Sequence, residues 1–395
     1  MSRTPSSYGI DTQLIHAGEL HPRVAGAVSL PVFQSATFAS AGEASYHDVR
    51  YIRLNNTPNH VVLHKKLATL EAAEAGLVTA SGMAAISTAL LTVLSAGDHL
   101  LAQDCLYGGT RSFIAEDLQR LGITVTFIDA DDKSGWAAAL RPTTRAIYVE
   151  TMTNPLLQVA DLESVVAFAR EHRLVSMIDN TLATPLHYRP IAHGFDLCLH
   201  SCTKYLNGHT DIVAGAVLGG AELVGRIKQR LDHLGGALDP HACFLLHRGL
   251  KTLALRVRQQ SRSTLAIARF LAAHPAVAHV NYPGLESHPR NARARRLFTP
   301  ASASETIGFG GLLSFELRGG LAAAERFLER VMLPINAPSL GGVETLITRP
   351  ASTSHAGLPP HERLRLGITD SLIRLAVGVE DAVDLIADLD HALRS

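Results

Sequence analysis

The amino-acid sequence predicts an α/β protein with a large domain built on a mostly parallel sheet, followed by a smaller α+β domain. Three observations carry this reading. Short, near-continuous apolar runs bounded by turn residues recur between residues 77 and 218, as strands covered on both faces require. Segments with apolar residues at helical spacing separate them, and that alternation produces parallel strands. Finally, 395 residues is long for one core, so two or three units are expected.

Residues 1–60 are rich in Pro, Ser, Asn and His and read as an extended arm without its own core. Leu63, Leu67 and Leu70 mark a helix leading to a strand at 77–80, and the turn Ser81-Gly82 opens a helix at Met83. Further strands are expected at 99–102, 124–128, 146–150, 174–178, 197–200 and 215–218. A long amphipathic helix, roughly 250–273, carries the chain into the second unit. That unit holds strands at 311–317 and 373–379 and helices at 321–331 and 381–393. The resulting division is an arm (1–60), a large α/β domain (61–255) and a C-terminal α+β domain (256–395). No internal repeat or low-complexity tract is evident.

Composition excludes several classes of function. Apolar residues are 47% of the chain and charged residues 18%, which is enough apolar surface for large cores and rules out global disorder. Lys+Arg and Asp+Glu both total 36, so no net field gathers nucleic acid or an acidic membrane surface. The first ten residues lack the apolar core of a signal peptide, and no apolar run is long enough to span a bilayer. Four cysteines (Cys105, Cys198, Cys202, Cys243) are too few for a disulfide framework and form no C-x-x-C pair. A cytoplasmic protein is expected. The 20 His are scattered without H-E-x-x-H, so no metal site is expected. Gly308-Phe309-Gly310-Gly311 leads into a strand and lacks the strand-turn-helix context of a dinucleotide site. Arg290, Arg293, Arg295 and Arg296 read as a solvated helix face.

Only six of the 36 basic residues are lysines, so arginine does the generic surface work. Lys204 is unusual among the six. It follows the apolar strand at 197–200 and precedes the loop Asn207-Gly208-His209. An amine at the end of a buried strand is partly desolvated, which lowers its pKa and frees it to attack a carbonyl. Position alone is equally consistent with a lysine snorkelling at a strand end. In open α/β sheets, however, ligands bind beyond the carboxyl ends of the strands, and other polar residues gather there. Ser81-Gly82-Met83 offers N–H groups at a helix N-terminus, and Ser201 and Thr203 offer hydroxyls to the same anion. Asp179 ends one strand, and Asn154 follows another. A reactive lysine beside a strand-end carboxylate is what a pyridoxal 5'-phosphate (PLP) ring needs, with one group to hold its aldehyde and the other to keep its nitrogen protonated.

These residues, in this order, resemble the Cys/Met-metabolism (transsulfuration) family of PLP enzymes, which includes cystathionine γ-synthase, the cystathionine β- and γ-lyases, methionine γ-lyase and the homoserine-ester sulfhydrylases. The resemblance runs through Tyr51-Ile52-Arg53, Ser81-Gly82-Met83-Ala84-Ala85, Tyr107-Gly108-Gly109-Thr110, Thr153-Asn154-Pro155, Asp179-Asn180-Thr181 and Ser201 to Tyr205. It continues through Ser339-Leu340-Gly341-Gly342-Val343-Glu344 and Ile373-Arg374-Leu375-Ala376-Val377-Gly378. It implies an aspartate-aminotransferase-like (fold type I) architecture and a homotetramer, a dimer of dimers with shared active sites. Lys204 would then join the cofactor and shuttle protons, Asp179 would pair with the ring nitrogen, and Tyr107 would stack on the ring and protonate the leaving group. Gly82, Met83, Ser201 and Thr203 would hold the phosphate, with Ser81 and Asn154 beside the cofactor. Tyr51 and Arg53 would reach the phosphate of a neighbouring subunit. Arg374 would clamp the substrate α-carboxylate with Asn154 and Ser339 nearby, and Glu344 and Arg50 would face its distal end. The implied activity is C–S cleavage of cystathionine or a related sulfur amino acid, by β- or γ-elimination. The alternative is γ-replacement, as in cystathionine γ-synthase or an O-acylhomoserine sulfhydrylase.

The chain departs from the family pattern at four places. Leu54-Asn55-Asn56-Thr57-Pro58 stands where x-Gly-Asn-Pro-Thr is usual, and Asn tolerates the left-handed backbone that the Gly would supply. Arg50 stands where an acid is common, so it favours a distal carboxylate or faces solvent. Gly109 stands where methionine γ-lyases have Cys, which argues against that activity. Ser352-Thr353-Ser354-His355 replaces Ser-Met-Thr-His.

Overall fold

The computed structural model describes residues 8–298 and 308–394, so the first seven residues of the arm lie outside the description. Seven strands form the large sheet. They are β1 (Ala75–Thr79), β2 (His99–Gln103), β3 (Thr124–Ile128), β4 (Thr144–Glu150), β5 (Val175–Asp179), β6 (Leu197–Ser201) and β7 (Gly215–Gly219). Their order is β1-β7-β6-β5-β4-β2-β3, and β7 alone runs against its neighbours. All seven expected strands are present and the sheet is mostly parallel. The period-two alternation sends neighbouring residues into two separate cores. Leu77, Leu100, Tyr148, Met177, Leu199 and Val217 share a core with the helices Gly82–Val93 and Ala221–Leu234. Val78, Leu101, Ile147, Ile178 and Cys198 face the other core, which includes Leu63, Leu67 and Leu70 of the helix Pro58–Glu71.

A five-stranded sheet forms the second layer system. It contains β8 (Val277–Asn281), β9 (Leu312–Leu317), β10 (Ile335–Asn336), β11 (Leu346–Thr348) and β12 (Leu372–Ala376), in the order β10-β11-β12-β9-β8. The helices Leu253–Ala273 and Gly320–Arg330 pack against it, and Ala382–Leu393 packs against both helices. The sequence reading found β9 and β12 but not the other three strands. A bulge between Val277 and His279 breaks the alternation of β8, and β10 and β11 are two and three residues long. Neither pattern gives a local signal.

The long helix expected at roughly 250–273 is present as Leu253–Ala273, and a separate helix that the sequence did not announce, Pro240–Leu250, precedes it. At the break the buried Arg256 guanidinium takes the Gly249 carbonyl, at 2.8 Å, along with that of Tyr205, also at 2.8 Å. Two further expectations are corrected. The arm is not extended throughout, because its helix Ile10–His16 buries Ile10 and Leu14 in the core shared with Leu63 and Leu67. The Lys66 amine also holds the Leu14 carbonyl at 2.9 Å. Beyond that helix the arm is largely exposed, Val28 and Tyr46 included. Finally, the arginines of 290–296 are not simply solvated. Arg290 and Arg293 both pair with Asp131, and Arg296 pairs with Glu163 at 2.9 Å, which ties this segment to the large domain. Among the described residues, no helix is long and apolar enough to cross a membrane.

Candidate active site

The carboxyl ends of β4, β5 and β6 open into a cavity of about 760 Å³, which the loop at 338–340, the segment 353–354 and Arg374 of β12 close from the second domain. Of the residues singled out from sequence, Ser81, Gly82, Met83, Tyr107, Asn154, Asp179, Ser201, Thr203, Lys204, Ser339 and Arg374 all line this one cavity. Four do not. Arg53 donates to the Asp232 carbonyl at 2.7 Å and to the Tyr46 hydroxyl at 2.6 Å, with its guanidinium 5.8 Å from the Tyr51 ring centre. Arg50 is exposed and lies 5.6 Å from the centre of the Phe38 ring. Glu344 accepts from the Thr210 hydroxyl at 3.0 Å, outside the cavity. The departure at Asn55 keeps the turn. Its φ is +54°, its amide donates to the Val78 carbonyl, and Pro58 becomes the first residue of the next helix.

The Lys204 amine donates to the Ser339 hydroxyl at 2.7 Å. Burial, and then the Arg374 cation, bring it down from an ordinary value of 10.5 to about 8, so a sizeable neutral fraction exists near neutrality. Ser339 has a φ of +102°, a strained setting for a residue with a side chain. That backbone turns its hydroxyl to Lys204 and its carbonyl to Arg374, which donates to it at 2.9 Å. Arg374 also donates to the Asn154 side-chain oxygen at 3.2 Å. Among the described residues its buried Nε has no acceptor, which leaves a donor for an incoming group such as a carboxylate.

Opposite the lysine, Asp179 ends β5. Burial raises its carboxyl, while the Thr181 N–H, donating at 2.9 Å, and the charge of His200 oppose the rise. His200 lies on the other face of the sheet, where it shares a hydrogen with Glu71 at 2.6 Å beside Cys198. Among the described residues no cation pairs with the buried Asp179 carboxyl, which suits a protonated ring nitrogen. The N-terminus of the helix Gly82–Val93 opens on the cavity and could hold an anion. Ser81 caps it by accepting from Ala84 N–H at 3.0 Å, and the Gly82 and Met83 N–H groups have no intrahelical acceptor. Gly82 is required there, because a Cβ would lie 2.8 Å from Ser201 Cβ. Thr203 is already engaged with Ala214 in both directions, at 3.0 and 3.2 Å. Tyr107, 44% exposed, presents its ring to the cavity.

Sequence reasoning missed Glu150, Met152, Thr181, Leu182, Val213, Pro338 and Leu340 in the lining. Glu150 had a signal, since it ends β4 as Asp179 ends β5. Thr181 and Leu340 lie inside segments that carried the resemblance, whereas Met152, Leu182, Val213 and Pro338 are apolar or loop residues without a motif.

The donors and acceptors fit PLP, and the fold and site together define a PLP-dependent enzyme. A family model described as Cys/Met metabolism PLP-dependent enzyme matches residues 11–394, and the chain belongs to that family. It is 40% identical over 389 residues to cystathionine beta-lyase MetC of Bacillus subtilis, covering 98% of this chain and 97% of that one. It is 40% identical over 399 residues to L-methionine gamma-lyase of Pseudomonas putida, covering 98% of each. Among solved structures, cystathionine gamma-lyase of Lactobacillus plantarum complexed with L-serine superposes with a TM-score of 0.91 at 38% identity, covering 98% of this chain and 99% of that one.

Proposed function

We propose that this chain is a cytoplasmic C–S lyase acting on cystathionine or a related sulfur amino acid, working as a homotetramer with shared sites. The observation that carries this reading is the convergence of the Lys204 amine, the Ser339 bridge and the Arg374 guanidinium in one cavity. Arg374 binds the substrate α-carboxylate through its free Nε, with Asn154 and Ser339 fixing the fork. The bound cofactor supplies an electron-poor ring that accepts negative charge from Cα. Lys204, held by the Ser339 hydroxyl, takes the Cα proton in its neutral form. Asp179 would be the counter-charge for the ring nitrogen, and Tyr107 would stack on the ring and give a proton to the leaving sulfur. A β-substituent leaves after one proton removal, whereas a γ-substituent needs a second proton taken from Cβ.

The second reading is γ-replacement. Its support is Arg50, an exposed cation with no ion-pair partner among the described residues, placed immediately before the Tyr51–Arg53 segment proposed to serve a neighbouring site. Incubation with cystathionine separates the branches. Pyruvate is the product of β-cleavage and 2-oxobutyrate of γ-cleavage. Neither product, together with turnover of an activated homoserine ester plus cysteine or sulfide, establishes replacement and overturns the lyase reading.

The shared site gives a further expectation. Arg53→Ala weakens PLP binding by about tenfold, the loss expected for a charge-assisted contact to phosphate. Mixed oligomers of a Tyr51→Phe chain and a Lys204→Ala chain recover part of the activity that neither has alone. No recovery in subunit-exchanged samples would count against Tyr51 and Arg53 acting across subunits.

A further inference from the structure

Glu150 has no role in the reaction described above, yet it lies in the floor of the cavity, one strand from Asp179. The two residues are direct partners in the parallel β4–β5 ladder, and both side chains project to the cavity face. One Glu150 oxygen accepts the Tyr107 N–H at 2.7 Å, and its own N–H is fixed by the Gln103 side chain at 2.9 Å. Among the described residues the second oxygen takes no hydrogen bond. Two buried carboxyls side by side do not both ionise without a cation between them.

The surroundings decide which one keeps the proton. Asp179 accepts the Thr181 N–H and feels His200 through the sheet. Around Glu150 the facing groups are Asp179 from β5, Tyr148 from its own strand, Cys105 after β2 and the Tyr107 N–H, and none is a cation. Burial and the Asp179 charge push the Glu150 carboxyl well above the usual range.

Resting on the cofactor reading above, we propose that Glu150 is a positioning residue whose carboxyl stays protonated, so that the Glu150–Asp179 pair carries one negative charge and Tyr107 is anchored by its main chain over the cavity. The charge then belongs to Asp179, where the ring nitrogen needs it. The anchor fixes the start of the segment that carries the Tyr107 ring.

The test compares Glu150→Ala and Glu150→Gln in the holoprotein. Alanine leaves the Tyr107 N–H unpaired and is expected to weaken PLP retention by about tenfold. Glutamine is neutral and still accepts that N–H, so it restores retention and leaves the absorbance maximum and the pH profile of kcat/KM where the native protein has them. In the infrared, a protonated-carboxyl band persists in the native protein at about pH 8, above the titration of ordinary carboxylates, and is absent from Glu150→Gln. The proposal is overturned if Glu150→Gln behaves like Glu150→Ala, if it shifts the pH profile, or if both proteins lack the band. Failure of the cofactor reading would show separately, as the lack of any visible absorbance band in the native, PLP-supplemented protein, and the infrared result can be read in either case.

Discussion

Lys204→Ala is expected to abolish the visible absorbance of lysine-bound PLP and to lower turnover by about 10³-fold, the range that loss of a positioned proton-transfer group produces. Lys251→Ala serves as the control, because that amine lies 3.6 Å from Glu19, away from the cavity. Absorbance spectra of freshly purified, PLP-supplemented proteins check this, and a band retained in Lys204→Ala would refute the assignment. The lowered pKa of Lys204 adds a pH dependence. Only the neutral amine attacks an aldehyde, and the amine loses its proton as pH rises through about 8. The rate at which apoprotein captures PLP should therefore rise with pH and level off above that value. Linkage gives the same sign for stability. Between about 8 and the ordinary 10.5 the unfolded chain binds the extra proton, so this lysine makes the apoprotein more stable as pH increases across that window. Chemical denaturation of apoprotein at several pH values, compared with Lys204→Ala, measures that increment.

The second large effect is expected at Arg374. Arg374→Ala removes the fork proposed to bind the substrate carboxylate and leaves the Ser339 carbonyl without its donor. The expected loss is about 3 kcal/mol in kcat/KM, or roughly 100-fold. Most of it should appear in KM, because a carboxylate is bound equally in ground and transition states. Arg374→Lys keeps the charge but not the planar fork and should recover only part of the loss. Thermal unfolding of both variants separates this from damage to the fold, since Arg374 bridges Asn154 and Ser339 and some loss of stability is expected in either case. An unchanged KM for Arg374→Ala would place the substrate carboxylate elsewhere.

The site was legible wherever a motif coincided with an element boundary. Ser81-Gly82, Asp179 and Lys204 each sit where an apolar run stops, and the structure puts all of them on the rim of one cavity. Glu150 met the same criterion and was read only as the end of a strand. Its pairing with Asp179 depends on β4 lying beside β5, which nothing local to either strand specifies. The arm failed differently. Its composition reads as extended chain, but Ile10 and Leu14 find a core supplied by the helix Pro58–Glu71. The relatives at 40% identity include both a cystathionine β-lyase and a methionine γ-lyase, so overall similarity does not choose among the reactions. The residues facing the distal end of the substrate must choose.

From its residues alone this chain declared two sheets, an unusual lysine and an acid one strand away, because burial, period and scarcity are local properties of a sequence. Only the folded chain brought Ser339 between Lys204 and Arg374, left Arg50 and Arg53 outside their own cavity, and set two carboxyls side by side. Those relations join residues distant in the sequence, 135 positions for Lys204 and Ser339 and 35 for Ser339 and Arg374, or lying on separate strands. They follow from strand order and domain closure, which are fixed by the packing of whole faces rather than by the pattern within any one segment.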